Sequence, residues 1–199
     1  MSVYSNLAGI RSASINWCSD NALGADNQQE RLQMLNVKSI APRIGYYLAG
    51  FTDGEGSFNV SFRPRKDNNV PWKISLCFNI SQKDKVILAL FKRHLKCGTM
   101  RQRKDGIWYY EVNNLTAIDE NVIPFFKKFN FLSANKKRDF YKFTQIAEII
   151  KSKDHLQVAG IKRILQIRRN MNDGGKRRYS EEEILNSFEE SSETTRQAS

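Results

Sequence analysis

The segment Leu48-Ala49-Gly50-Phe51-Thr52-Asp53-Gly54-Glu55-Gly56 decides how the rest of this 199-residue chain is read. Before and into it, Ile44 to Thr52 is apolar on nearly all sides, as in a fully buried helix, and Gly45, Ala49 and Gly50 thin its surface. After it the period changes to two. Phe58, Val60 and Phe62 alternate with Ser57, Asn59, Ser61 and Arg63, which predicts a half-buried strand. Asp53-Gly54-Glu55-Gly56 lies at the junction. One reading is a plain turn, since Asp-Gly is a common turn dipeptide and glycine ends helices. The other is a cation site, because a carboxylate among basic sequence is costly unless something cationic binds it. Mg²⁺ favours carboxylate and carbonyl oxygens together with substrate phosphate, and this turn offers both protein groups.

Outward from the junction the pattern repeats. After a polar loop from Pro64 to Pro71, Ile74, Leu76, Phe78 and Ile80 alternate with Lys73, Ser75, Cys77 and Asn79, giving a second strand and a hairpin with one greasy face. Ser81 and Asp84 resemble a capping box ahead of a helix that ends near Gly98. Asp105-Gly106 marks a second hairpin between Thr99–Arg103 and Ile107–Asn113. Leu115 to Phe129 reads as a helix interrupted at Pro124, followed by helices over Asp139–Lys151 and His155–Met171. The expected fold is α+β: a four-stranded antiparallel sheet of two hairpins with helices packed on one face. Residues 1–41 read as a flexible leader, 42–180 as the folded domain and 181–199 as an acidic tail that opens on a short helix and is disordered beyond it.

Charge narrows the function. Residues 42–180 hold 28 basic and 12 acidic residues, a net of +16. So large a charge favours a polyanion, through phosphate neutralisation and counterion release. No apolar stretch is long enough to span a membrane, and no signal or transit pattern opens the chain. Cys18, Cys77 and Cys97 are odd in number and unpaired in spacing, so free thiols in an intracellular reducing compartment are expected. His94 and His155 stand alone, which leaves a histidine metal site or a catalytic triad without partners.

Leu48 to Gly56 resembles the nine-residue motif that names the LAGLIDADG homing endonucleases. Its flanks agree (Tyr46-Tyr47 and Ser57-Phe58), as do Gln82, Cys97-Gly98-Thr99, Ile123-Pro124-Phe125-Phe126 and Lys136-Lys137-Arg138-Asp139-Phe140. The resemblance covers about residues 42–175. Leu7-Ala8-Gly9-Ile10 is a decoy, with Ser12 and Ser14 where the acids belong. A single motif implies a homodimer on a nearly palindromic double-stranded DNA target, with the motif helices side by side and Gly45, Leu48, Ala49, Gly50 and Thr52 at their interface.

The resemblance also implies roles. Glu55 becomes the metal-binding carboxylate and the Gly54 carbonyl a further ligand, for Mg²⁺ or Mn²⁺, with Ca²⁺ binding without supporting cleavage. Asp53 ranks below Glu55 and caps or orients the turn. Gln82 matches a residue that orients water near the metal. Lys136 or Lys137, with Lys136 preferred, matches a basic residue near the scissile phosphate. A further basic position falls on Val86 here, a departure for which Lys85 is the substitute. The polar strand faces form the expected DNA saddle: Asn59, Ser61, Arg63 and Arg65, then Lys73, Ser75, Cys77 and Asn79, with Arg101 and Arg103 on the third strand. Lys176, Arg177 and Arg178 are expected on phosphate rather than bases. Two alternatives stay open: a maturase that binds its host intron RNA, and a catalytically silent DNA-binding regulator. The compartment expected is an organelle (chloroplast or mitochondrion) or a bacterial or archaeal cytoplasm.

Overall fold

The computed structural model describes residues 35–65, 71–174 and 177–188. Expectations placed on residues 1–34, 66–70, 175–176 and 189–199 lie outside it, including those for most of the leader, Lys176, Cys18 and the end of the acidic tail.

Helix α1 spans Pro42–Glu55. Pro42 sits in its first turn, where a missing N–H costs nothing. The helix does not stop at Thr52. Asp53, Gly54 and Glu55 form its last turn, and Gly56, in extended conformation, opens strand β1 (Gly56–Pro64) without a loop. Nor is α1 buried on all sides. Gly45, Leu48, Ala49 and Thr52 face inward, whereas Arg43, Tyr46, Tyr47, Gly50 and Gly54, at helical spacing, are exposed.

Strand β2 (Trp72–Gln82) pairs antiparallel with β1 from Gly56↔Ile80 to Pro64↔Trp72. Strands β3 (Thr99–Gln102) and β4 (Trp108–Val112) form the second hairpin, and β4 joins β2, giving the order β1-β2-β4-β3. This is the α+β fold with a four-stranded antiparallel sheet read from the sequence. Helix α2 (Lys85–Leu95) is capped by Asp84 alone, whose Oδ1 accepts from the Val86 N–H at 2.8 Å. Ser81 stays inside β2, so no Ser81/Asp84 box forms.

Pro124 does not break the next helix. Helices α3 (Leu115–Ala117) and α4 (Ile123–Lys128) are continuous through a π turn, Ile118–Val122, in which the Ile123 N–H reaches back to the Ile118 carbonyl. The wider turn takes up the proline ring and the carbonyl left without a donor. Helix α5 (Ala134–Lys151) starts before Asp139 because Ser133 caps it: its Oγ accepts from the Lys136 N–H at 3.2 Å. Helix α6 (Val158–Arg169) follows a 3-10 turn at Asp154–Leu156 and so begins after His155. The fold also runs past residue 180. A helix at 181–188, α7, buries Ile184 and Phe188, so the acidic segment opens on a short packed helix, as the sequence predicts for its start.

Alternation along β1 and β2 puts Phe58, Val60, Phe62, Leu76, Phe78 and Ile80 under the helices. Phe58 is a hub of this core, as is Phe126, with the Phe58 ring 5.1–5.8 Å from those of Phe78, Phe126, Phe131, Phe140 and Phe143. Among the described residues no helix is long and apolar enough to cross a membrane.

Candidate active site and nucleic-acid interface

The last turn of α1 carries two carboxylates at the negative end of a helix, an unfavourable place unless donors or cations answer them. Asp53 is answered from within the chain. Its Oδ2 accepts from the backbone N–H groups of Leu132 (3.3 Å) and Ser133 (2.9 Å), and its Oδ1 from the Ser133 hydroxyl. Partial burial alone would raise its pKa. The Ser133 and Leu132 hydrogen bonds and the nearby Lys136 charge outweigh that and hold it below the usual carboxylate range. Asp53 thus ties the end of α1 to the cap of α5. Glu55 is different: it is exposed and has no hydrogen bond or ion pair among the described residues.

Lys136, in the first turn of α5, donates from Nζ to the carbonyl of Gly56, the residue after Glu55. The Asp53–Ser133 tie explains this reach, since it fixes α5 against the motif. Lys137 is exposed, with its backbone N–H on the Ser133 carbonyl. A cleft of about 590 Å³ beside the motif is lined by Asp53, Ser133, Lys136, Asp139 and Asn172.

From Gly56 the sheet leads away from the motif with one face open. Register places Ser57, Asn79, Glu111 and Thr99 in one row across it, then Asn59 beside Cys77, Ser61 beside Ser75 and Arg63 beside Lys73. Arg101 pairs with Tyr109 in register and donates to Glu111 at 3.1 Å. Arg103 donates to the Tyr109 hydroxyl at 3.0 Å and meets Asp105 at 3.1 Å. Arg65, just past β1, is exposed, and its N–H donates to the Pro71 carbonyl. Glu111 and Tyr109 are open-face residues that the sequence reading did not single out. Their signal was the alternation in Trp108–Val112, where Tyr110 and Val112 take the buried phase.

The profile of the LAGLIDADG endonuclease family matches residues 48–147, half of the chain. The chain belongs to the LAGLIDADG endonuclease family. It is 28% identical over 132 residues to "Probable intron-encoded endonuclease 2" of Neurospora crassa, covering 64% of this chain but only 29% of that protein. It is 27% identical to "Homing endonuclease I-ApeII" of Aeropyrum pernix, covering 70% of this chain and 86% of that one. A solved structure of the archaeal intron-encoded homing endonuclease I-Vdi141I complexed with DNA superposes with a TM-score of 0.68 at 28% identity, covering 75% of this chain and 96% of that chain.

The remaining expected positions can be located on the LAGLIDADG frame. Gln82 shares the inward phase of Phe78 and Ile80 rather than the open face, and its Oε1 accepts from the Lys83 N–H at 2.8 Å. Lys85 places its ammonium 5.7 Å from the Trp108 ring centroid. Of the five helix residues expected at a dimer interface, only Gly50 lies on the open side of α1. Gly45, Leu48, Ala49 and Thr52 are turned into their own core: a Cβ on Gly45 would meet the Phe129 ring at 2.4 Å, and the Thr52 hydroxyl donates to the Leu48 carbonyl. Tyr46, Tyr47, Gly50 and Gly54 make up the outward face instead, and nothing among the described residues comes within 4 Å of a Cβ at Gly50 or Gly54.

The donor set of the LAGLIDADG motif fits a hard cation. Glu55 offers an unengaged carboxylate, and the carbonyl of Gly54 belongs to the last helical turn, which has no helical N–H to receive. Among the described residues no three His, Cys, Asp or Glu side chains gather to form a closed cage. An open site of this kind leaves room for phosphate and water ligands.

The Asp53 tie carries a pH signature. Its folded pKa lies below the ordinary aspartate value of 3.8, so its stabilisation is present above that value and lost as pH falls through the folded pKa. Asp53→Asn should lower stability at pH 7 by about 1 kcal/mol, the scale of a hydrogen bond to an exposed charged acceptor after solvent screening. In urea unfolding the gap between variant and wild type should hold above pH 3.8 and close progressively as pH falls below it. A gap that is constant across that range would rule out the ionised tie.

Proposed function

We propose that the chain is a site-specific double-stranded DNA endonuclease that acts as a homodimer with a divalent metal on a long, nearly palindromic target. The observation that carries this reading is the unanswered carboxylate of Glu55 at a helix C-terminus, set at the head of an open sheet face rich in Asn, Ser, Lys and Arg. DNA in the I-Vdi141I structure supports the choice of polymer. The exposed Tyr46, Tyr47, Gly50 and Gly54 support the dimer, because small residues let two motif helices approach and aromatic side chains are left to bury.

In this reading Glu55 and the Gly54 carbonyl hold the metal, Mg²⁺ or Mn²⁺ in the working enzyme and Ca²⁺ in a binding-only state. When bound it supplies an activated water and charge for in-line displacement at phosphorus. Lys136, already poised on the Gly56 carbonyl, turns its ammonium to the scissile phosphate and balances charge on the leaving oxygen. Asp53 holds Lys136 in place through Ser133 and takes no part in the chemistry. Asn59, Ser61, Arg63, Arg65, Lys73, Ser75, Cys77, Asn79, Arg101 and Arg103 meet the major groove, where Asn and Arg suit adenine and guanine.

The test is direct. Purified chain with Mg²⁺ should cut DNA spanning the insertion point of its own gene once, on both strands, and leave the interrupted allele intact. DNA left whole with Mg²⁺ and with Mn²⁺ would overturn the proposal. Glu111 gives a finer check, since its carboxylate holds Arg101 in one orientation. Glu111→Gln should relax base preference at one position per half-site, worth about 1–3 kcal/mol of discrimination. Sequencing the survivors of a randomised target library reads this out, and an unchanged profile would remove Glu111 from base reading.

A further inference from the structure

Strand β1 is the outer strand of the sheet, and the chain closes its free edge with side chains rather than another strand. Arg168, near the end of α6, donates from Nε to the Val60 carbonyl at 2.9 Å and lies over the Phe62 ring, 5.0 Å from its centroid. Asn172 donates to the Phe58 carbonyl at 3.0 Å. Arg177 folds back onto the carboxyl end of α6, its Nη2 donating to the carbonyls of Arg168 (2.8 Å) and Met171 (3.2 Å). Arg178 stands over the Tyr179 ring, which packs edge-on against Trp72. Between these groups and β1 lies a cleft of about 570 Å³, lined among others by Ser61, Arg63, Arg168, Arg177, Arg178 and Tyr179.

Four guanidinium groups therefore share one cleft. Among the described residues none of them has a carboxylate within ion-pair distance: Glu181 pairs with Arg169 at 2.6 Å and reaches Arg168 and Arg177 only as a more distant charge. Burial first, and then the neighbouring Arg177, press the Arg168 pKa down to about 10, which still leaves it charged at neutral pH. One carboxylate already paired with Arg169 offsets four like charges only in part, so the cleft keeps an excess of positive charge. The guanidinium fork is the side chain best matched to phosphate oxygens.

We propose that this cleft is a phosphate-binding site for the DNA backbone, along the free edge of β1 from Asn59 to Pro64, with Arg63 at its end away from the motif. The inference rests on the DNA reading above and fixes a position. Arg63 stands seven residues beyond Gly56, which at about 3.4 Å per residue is about 24 Å. At about 3.4 Å per nucleotide along one strand, the phosphate held here lies about seven base pairs from the motif's end of the site. It contributes affinity and register but no sequence preference.

The experiment measures DNA binding in Ca²⁺ by the full chain across a salt series, with a neutral methylphosphonate scanned along the target. Wild type should lose affinity at one backbone position per half-site about seven base pairs out. Arg177→Gln should lower the slope of log K against log salt by about 0.9 per protomer and erase the effect of the methylphosphonate at that position alone. Base preferences should remain as in wild type. Arg178→Gln, whose exposed side chain lies over the half-buried Tyr179 ring and anchors no backbone, repeats the measurement should Arg177→Gln fail to fold. Wild-type slopes and an unaltered methylphosphonate map in a folded variant would overturn the proposal while the DNA reading stands. Absence of any DNA binding by wild type would overturn both.

Discussion

Glu55→Gln should abolish cleavage while leaving DNA bound. The substitution keeps the shape of the side chain and removes one negative charge from the group proposed to hold the metal. Losing a preorganised electrostatic contact of this kind costs about a hundred- to a thousandfold in rate, and in the proposed homodimer the loss would fall on both strands at once. Single-turnover cleavage of the target with Mg²⁺ should therefore fall about a hundred- to a thousandfold, with the affinity in Ca²⁺ changed less than about tenfold. The companion Asp53→Asn separates the two acids of the motif. Asn can still accept the Leu132 and Ser133 N–H groups that Asp53 accepts, so activity should stay within about tenfold of wild type and the cost should appear in stability. Equal loss in both variants would place both acids in the chemistry. A Glu55→Gln variant that cuts at near wild-type rate would remove Glu55 from the metal site.

What the sequence disclosed follows from which forces act locally. Strand faces were legible because side chains alternate with a fixed period, so Phe58, Val60 and Phe62 had to lie on one side and Asn59, Ser61 and Arg63 on the other. The α+β order and the hairpin at Asp105-Gly106 followed from equally local signals. Local signals also misled. Asp53-Gly54 reads as a turn by composition, yet Asp53 is held in the helix by Leu132 and Ser133, about eighty positions along the chain. Pro124 reads as a break, but a π turn takes it up. The small residues of α1 carried two meanings that composition could not separate: Gly45 makes room for Phe129 of the same chain, while Gly50 and Gly54 face outward. The arginines that close the edge of β1 come from α6 and the segment after it. No spacing in the sequence links Arg168 to Val60.

The second large effect is on the fold beneath the site. Phe58 follows Glu55 by three residues and is fully buried, with five aromatic rings around it from β2, α4, α5 and the segment between those helices. Replacing it with alanine removes the buried ring and leaves a cavity whose walls belong to different elements and so cannot all relax toward one another. Phe58→Ala should cost about 3–5 kcal/mol, a large share of the roughly 5–15 kcal/mol that holds a domain together. At about 2–4 °C per kcal/mol for a chain of this size, thermal unfolding should come roughly 6–20 °C earlier. Phe58→Leu keeps most of the volume and should cost less than half as much. The position also couples stability to function. Phe58 touches Phe131 and Phe140, which flank the Ser133–Lys136 cap. A cavity there loosens the start of α5, and with it the contact of Lys136 to the motif. At a temperature where Phe58→Ala is still folded, its cleavage rate should fall more than its DNA affinity. Denaturant unfolding followed by single-turnover cleavage checks both parts. A change under about 1 kcal/mol would show that the aromatic cluster repacks around the gap and that Phe58 is not one of its hubs.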